Sequence, residues 1–318
     1  MSQISPTRWL HLLAWLTAIV ALLPISVGAV VTTVDAGMAF ADWPTSDGQG
    51  MLAYPWLKST GDQFLEHGHR LAGMLVGLMT LGLAATAYFT DCRESVKLLV
   101  GAILIGVILQ GLLGGARVLA DQRYIALGHG LFAAVVFSQM GVLVSMTSQT
   151  WFQQSPVTDP ARTWISLIMG LTLLAVLSTQ YVLGSLLRHL GWAQAWLIHP
   201  WFAIVVVLAA VGFLITGYRT GSRTLAWASG LVISCVLCQA VLGVATWGVR
   251  YGFPQWGVVA VQQSSLQVAV RSLHKVVGLL TFMTTVLAVV RTWHLLPATA
   301  STPAQLSRPV LSEMGGLA

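Results

Sequence analysis

Apolar residues gather in eight long stretches, near residues 9–31, 66–89, 97–117, 125–147, 163–186, 194–217, 224–247 and 270–292, with polar residues in the breaks between them. Each is close to or above the roughly 20 residues that carry a helix across a bilayer. Lipid offers no partner to free backbone N–H and C=O groups, so every one of these stretches must be helical. The polar run "QTWFQQSPVTDPART" (149–163) divides them four and four. The pattern predicts an all-α integral membrane protein: an N-terminal half at 1–148, a linker at 149–163, a C-terminal half at 164–295 and a tail at 296–318. The first stretch is too long for a signal-peptide core and is followed by no small-residue cleavage site, so it reads as a retained span.

The two halves repeat one another. Gln110-Gly-Leu-Leu-Gly114, Gln180-Tyr-Val-Leu-Gly184 and Gln239-Ala-Val-Leu-Gly243 share a QxxLG pattern late in the third, fifth and seventh spans. Pro24-Ile-Ser-Val-Gly28 holds the same place in the first. The recurrence predicts two duplicated four-helix bundles. The glycines read as sites of close helix packing, while a glutamine inside a membrane demands a polar partner.

Composition agrees with the pattern. Charged residues make up 8% of the 318 positions, against about 25% in soluble domains. The net charge of +6 is scattered through loops and helix ends without a basic block, so nothing points to nucleic acid. No long Arg- and Ser-rich presequence is present, which favours a bacterial inner membrane. Cys92 falls in a polar break, and Cys235 and Cys238 fall inside a span, where they read as small packing residues rather than a redox pair.

The candidate chemistry lies in the histidines. The second, fourth, sixth and eighth spans all cross in one direction, so their N-terminal ends share a membrane face. His69, His129, His199 and His274 each lie near the start of one of these spans, within about 10 Å of a common boundary at 1.5 Å per residue. Ionisable groups at such depth tend to face the bundle interior with a partner. Two per half suggests bis-histidine ligation of two haem irons. Zinc is disfavoured, because the cysteine or carboxylate ligands that commonly complete its sites are missing around three of the four. His67 stands about 200° round the helix from His69, so both cannot address one iron, and spacing leaves the choice between them open. His11 and His294 lie near helix ends on the opposite face, and His189 reads as a loop residue.

Glu66 precedes His69 by three residues, where Arg271 precedes His274; Arg70 and Lys275 directly follow the two histidines. Cations at a bundle mouth suit haem propionates. Glu66 could act as a base, offset a developing positive charge, or simply cap its helix. Basic residues divide eight and eight between the two sides. Discounting Arg70, Arg271 and Lys275, whose charge haem would occupy, places the N-terminus inside and the histidines toward the outer face.

These residues resemble the haem A synthase family, which converts haem O to haem A for terminal oxidases. Glu66-His67-Gly68-His69-Arg70 fits the family's ExxHR pattern, and His129, His199 and His274 fall where its other ligand histidines lie. "QGLLGG" (110–115) and "DWP" (42–44) look like its third helix and first outer loop. The resemblance favours His69 over His67. It implies that His69 and His129 flank substrate haem O beside Arg70, and that His199 and His274 hold a prosthetic haem B with Arg271 and Lys275. It further implies that Glu66 is the catalytic carboxylate as the C8 methyl is oxidised through an alcohol to a formyl group. Many members carry cysteine pairs in the outer loops. Here Phe40 and Ser46 flank "DWP" and no cysteine lies near 188–193, so Trp43, Tyr54 and Trp56 are expected to stiffen the first loop instead.

Two other functions fit the composition: a bis-histidine cytochrome that passes electrons without altering its haem, and a haem or small-molecule transporter built from a duplicated bundle. An insoluble substrate makes a haem O synthase a natural partner, alongside membrane lipid, an electron donor or acceptor and further copies of the chain. No residue identifies any of these protein partners.

Overall fold

The computed structural model describes residues 8–91, 93–153, 157 and 159–296. Cys92, Arg308 and the tail beyond 296 lie outside the described residues. Eight helices of 25 to 31 residues are long and apolar enough to cross a membrane. They are α1 (Arg8–Val34), α2 (Gly61–Thr90), α3 (Glu94–Ala120) and α4 (Arg123–Thr147), then, after the four-residue α5 (Gln149–Phe152), α6 (Pro160–Leu190), α7 (Ala193–Arg219), α8 (Arg223–Tyr251) and α9 (Ser265–Leu295). All eight expected spans are present among the described residues, and several run further than hydropathy indicated. Helix α2 begins five residues before Glu66 and α6 runs through Arg188 and His189. His189 is therefore in the last turn of a helix, not in a loop. Helix α6 also starts inside the segment read as linker, because Asp159 caps it, its carboxylate accepting from Arg162 N at 3.1 Å, and Pro160 suits the first helical position.

Tight connections set the neighbours. Asp121 and Gln122 join α3 to α4; Gly191, at φ 61° in the left-handed region that favours glycine, and Trp192 join α6 to α7. Within the first half α1, α2, α3 and α4 pack in a ring, and α6, α7, α8 and α9 do the same in the second. The halves meet through α4 on α9, with α1 against α9 and α6 against α4 as mirrored contacts. This is the pattern expected of two similar units facing one another. At the seam Gly141 of α4 admits Met283 and Leu287 of α9. Leu98, Trp201 and Leu208 are exposed to the lipid side, and core hydroxyls such as Thr17, Thr80 and Thr281 return their hydrogen bonds to the carbonyl one turn earlier.

The face that carries the N-terminal ends of α2, α4, α7 and α9 is covered by two longer loops, 35–60 and 252–264. The opposite face is closed by local contacts. His11 Nδ1 lies 2.9 Å from Thr147 Oγ1, and His294 stacks on Trp151 at 3.7 Å.

Candidate functional site

The four histidines come together in pairs. His69 of α2 faces His129 of α4 with ring centroids 6.4 Å apart and planes at 74°. His199 of α7 faces His274 of α9 at the same 6.4 Å and 87°. All four residues are half-buried, and Nδ1 of each is fully buried without a well-aligned hydrogen bond, the main chain of Pro24, Gln110, Gln180 and Gln239 lying beside the respective rings. A polar atom in that position calls for a ligand, water or strain to account for it.

The residues fit a metal held from two sides. With metal–nitrogen bonds of about 2.0 Å and roughly 1.1 Å from each nitrogen to its ring centre, two trans imidazoles have centroids about 6.2 Å apart. The observed separation matches this in both halves. Among the described residues no three His, Cys, Asp or Glu side chains converge, unlike a zinc centre with three or four protein ligands. Two facing imidazoles are the donor set that a six-coordinate haem would use, its porphyrin supplying the other four bonds; the Gln239 amide nitrogen stands 3.4 Å from His274 Nε2.

The repeat explains how each ring is placed. Gln110 Nε2 donates to the His129 carbonyl at 2.9 Å; Gln180 and Gln239 do the same to His199 and His274 at 3.0 Å. These are the partners that intramembrane glutamines require. Four residues on from each glutamine, the glycine lies under the imidazole. A Cβ on Gly184 would come within 2.9 Å of His199 Cε1, and on Gly28 within 2.8 Å of His69 Cε1. On Gly114 and Gly243 the distances to His129 and His274 are 3.5 and 3.4 Å. The glycines thus seat histidine rings rather than only easing helix packing. The recurrence of QxxLG was the available signal, but a repeat does not reveal what it touches.

His67 and His69 are separated by their surroundings. His67 is wholly buried beneath the first loop, with Nδ1 2.9 Å from Ser46 Oγ and Nε2 3.1 Å from the Met51 carbonyl, and Tyr54 packs on its ring at 4.7 Å. Both of its nitrogens are engaged, whereas His69 looks into the bundle.

Glu66 and Arg70 form a latch on the same loop. Glu66 Oε1 accepts from Arg70 Nη2 and Oε2 from the Ala39 N–H, each at 2.6 Å. Arg70 Nη1 donates to the Asp42 and Thr45 carbonyls at 3.0 and 2.7 Å, and its guanidinium lies over Phe40. Glu66 sits in the second turn of α2, so it is not the cap of that helix; the first-turn acid is Asp62. Nor is Arg70 a free cation, since most of its donors already serve the loop. The loop is stiffened as its aromatic content predicts. Trp43 lies against Gly115, Trp56 stacks on Phe64, and Phe40 meets Tyr54 edge-on. The Thr45 hydroxyl and the Gly48 and Asp47 N–H groups hold the Asp42 carboxyl below its ordinary range.

The matched cations of the second half behave differently. Lys275 Nζ donates to Tyr181 Oη at 2.7 Å, and Tyr181 in turn donates to the Gly130 carbonyl beside His129 at 3.3 Å. Arg271 has no hydrogen-bond or ion-pair partner among the described residues and remains available at the mouth. Arg188, to which the sequence assigned no role, crosses the seam from α6 to the Ala29 carbonyl (2.6 Å) and Thr33 Oγ1 (2.9 Å) of α1.

Known proteins share part of this chain. The COX15-CtaA family, described as a cytochrome oxidase assembly protein, matches residues 54–193, a segment that holds Glu66, His69, Arg70 and His129. A heme A synthase from Rhizobium rhizogenes is 32% identical over 146 residues, covering 42% of this chain and 38% of the relative. One from Symbiobacterium thermophilum is 30% identical over 187 residues, covering 55% and 58%. A protoheme IX farnesyltransferase from Haloarcula marismortui is 30% identical over 152 residues, covering 45% and 30%. The chain thus spans about a third of the Rhizobium and Haloarcula proteins and somewhat over half of the Symbiobacterium protein. The matched segment carries the first histidine pair with Glu66 and Arg70, and the second half repeats the pair's geometry: in residues 54–193 the chain is similar to the COX15-CtaA family, and over about half its length to curated heme A synthases.

Proposed function

We propose that this protein is a haem A synthase of a bacterial inner membrane, oxidising the C8 methyl of haem O to a formyl group. The observation that carries the reading is the equal spacing of two histidine pairs, each ring seated by a glycine of one repeated motif. In this reading residues 1–148 form the half that takes substrate haem O between His69 and His129, and 164–295 form the half that keeps haem B between His199 and His274. Haem B, when bound, supplies a one-electron carrier. Arg271, which has no hydrogen-bond or ion-pair partner among the described residues, would pair with a propionate of the C-terminal haem, and Lys275 would add positive charge between the two sites.

Glu66 is the proton acceptor beside the substrate. Its two oxygens are engaged by Arg70 and Ala39 N–H, so taking a proton requires one contact to loosen, which couples the chemistry to the loop over the site. Arg70 keeps the carboxylate oriented and balances its charge. The structural engagement of Glu66 is also the one observation that favours the other reading, an electron-transfer cytochrome in which this carboxylate only fastens a loop.

Pigment extraction separates the two. Membranes that contain the protein and a supply of haem O should yield haem A, and the purified protein should give a low-spin bis-imidazole spectrum with a pyridine haemochrome showing haem B. Recovery of haem O unchanged, with a normal bis-imidazole spectrum, defeats the synthase reading and leaves the cytochrome.

A further inference from the structure

On this reading the N-terminal haem is exchanged at each turnover while the C-terminal haem stays, yet the two histidine pairs have the same 6.4 Å separation. The asymmetry lies one step further out. The amides of Gln110, Gln180 and Gln239 each donate to the main-chain carbonyl of the histidine they serve. Their oxygens are buried and unpaired, an expense inside a membrane that leaves the donor arm as the reason for an amide at this position. In α1 the same place is held by Pro24. Proline has no side-chain donor, and it also removes the backbone bond to the carbonyl one turn earlier. His69 is therefore the one member of the four whose carbonyl receives no side-chain amide among the described residues.

We infer that His69 is the exchangeable ligand of the N-terminal pair, because its repeat lacks the amide that holds the backbone of the other three histidines; Gln110, Gln180 and Gln239 are positioning residues. Hydrogen bonds from residues around a ligand fix its orientation and strengthen its hold even when they never touch the metal. One hydrogen bond within a membrane corresponds to a change of about 3- to 20-fold in a release rate. His129 thus stays on the iron while His69 lets go, so the haem can leave on the α1–α2 side, beneath the loop that Glu66 and Arg70 fasten.

The test is haem release from the full chain in lipid nanodiscs, loaded with haem in both pairs and mixed with excess apomyoglobin. His129→Ala and His199→Ala identify which kinetic phase belongs to which pair. Pro24→Gln installs the missing amide and should slow the N-terminal phase about 3- to 20-fold, without changing the C-terminal phase. Gln180→Leu should speed the C-terminal phase by a similar factor, and Gln110→Leu the N-terminal one, with part of the low-spin ferric signal turning high-spin. Pro24→Ala restores the helix without an amide and should leave release within about twofold of the parent. Slowing by Pro24→Ala equal to that of Pro24→Gln overturns the inference, as does an N-terminal phase indifferent to Pro24→Gln. Release requires no turnover, so amide-dependent release without haem A formation sinks the synthase reading alone, while haem A formation with indifferent release sinks only this inference.

Discussion

Gly184→Ala asks whether the glycines of the repeat truly seat the rings. A methyl there would stand 2.9 Å from His199 Cε1 and 3.4 Å from its Nδ1. Contacting carbons prefer about 3.5–4.0 Å, so the imidazole must retreat by roughly 0.6–1.1 Å. Without metal the ring can do so by rotating about its side-chain torsions, and the substitution costs little. With iron bound on its far side the ring has nowhere to go, and the misfit becomes overpacking of about 1–3 kcal/mol. At about 1.4 kcal/mol per factor of ten, that weakens haem retention in the C-terminal pair roughly 5- to 150-fold. The matched control is Gly243→Ala on the opposite ring of the same pair, where the methyl would stand 3.4 Å from His274 Cε1 and only a small adjustment is needed. Haem-to-protein ratio and the low-spin absorbance after dilution measure retention, and the melting temperature of the haem-free protein reports the fold. The expected result is loss of haem in Gly184→Ala alone, with the two haem-free melting temperatures alike. Equal retention in both variants at the parent level would refute the idea that the ring is fixed from both sides.

Other substitutions probe the remaining parts of the site. Glu66→Gln leaves Arg70 buried without its counter-charge, which costs about 3–5 kcal/mol where a buried pair is broken. It should lower the melting temperature, open residues 38–50 to protease and reduce conversion while haem stays bound; unchanged protease sensitivity would show that the latch does not hold the loop. His67→Ala removes the Ser46 and Met51 contacts and should destabilise the loop by about 1–3 kcal/mol, yet keep both low-spin signals. Loss of the N-terminal signal, as expected of His69→Ala, would reverse the assignment of the two histidines. His69→Met and His129→Met should perturb the substrate haem, and His199→Ala or His274→Ala should remove haem B. Equal loss from both halves in either set, read by redox-difference spectra, would undo the division of labour.

The sequence by itself determined a great deal here, because the bilayer admits so few backbone solutions. Long apolar stretches must be helices, their direction must alternate, and four histidines near the starts of same-direction spans must share a depth. The repeated QxxLG motif made the likeness of the halves legible on the same grounds. The tertiary structure decided what periodicity within one helix cannot: which neighbour each side chain meets. His67 and His69 are equally good imidazoles until a loop that begins some thirty residues earlier covers one with Ser46 and leaves the other facing His129. Arg70 and Lys275 hold matching places after their histidines, but Arg70 turns to carbonyls of the loop before α2, whereas Lys275 turns to Tyr181 of α6 rather than to the loop before α9. The motif glycines and glutamines gained their purpose in the same way, from rings and carbonyls brought against them by the next helix. Hydropathy places a helix in the membrane, but the contacts of long and flexible side chains depend on the fold that surrounds them.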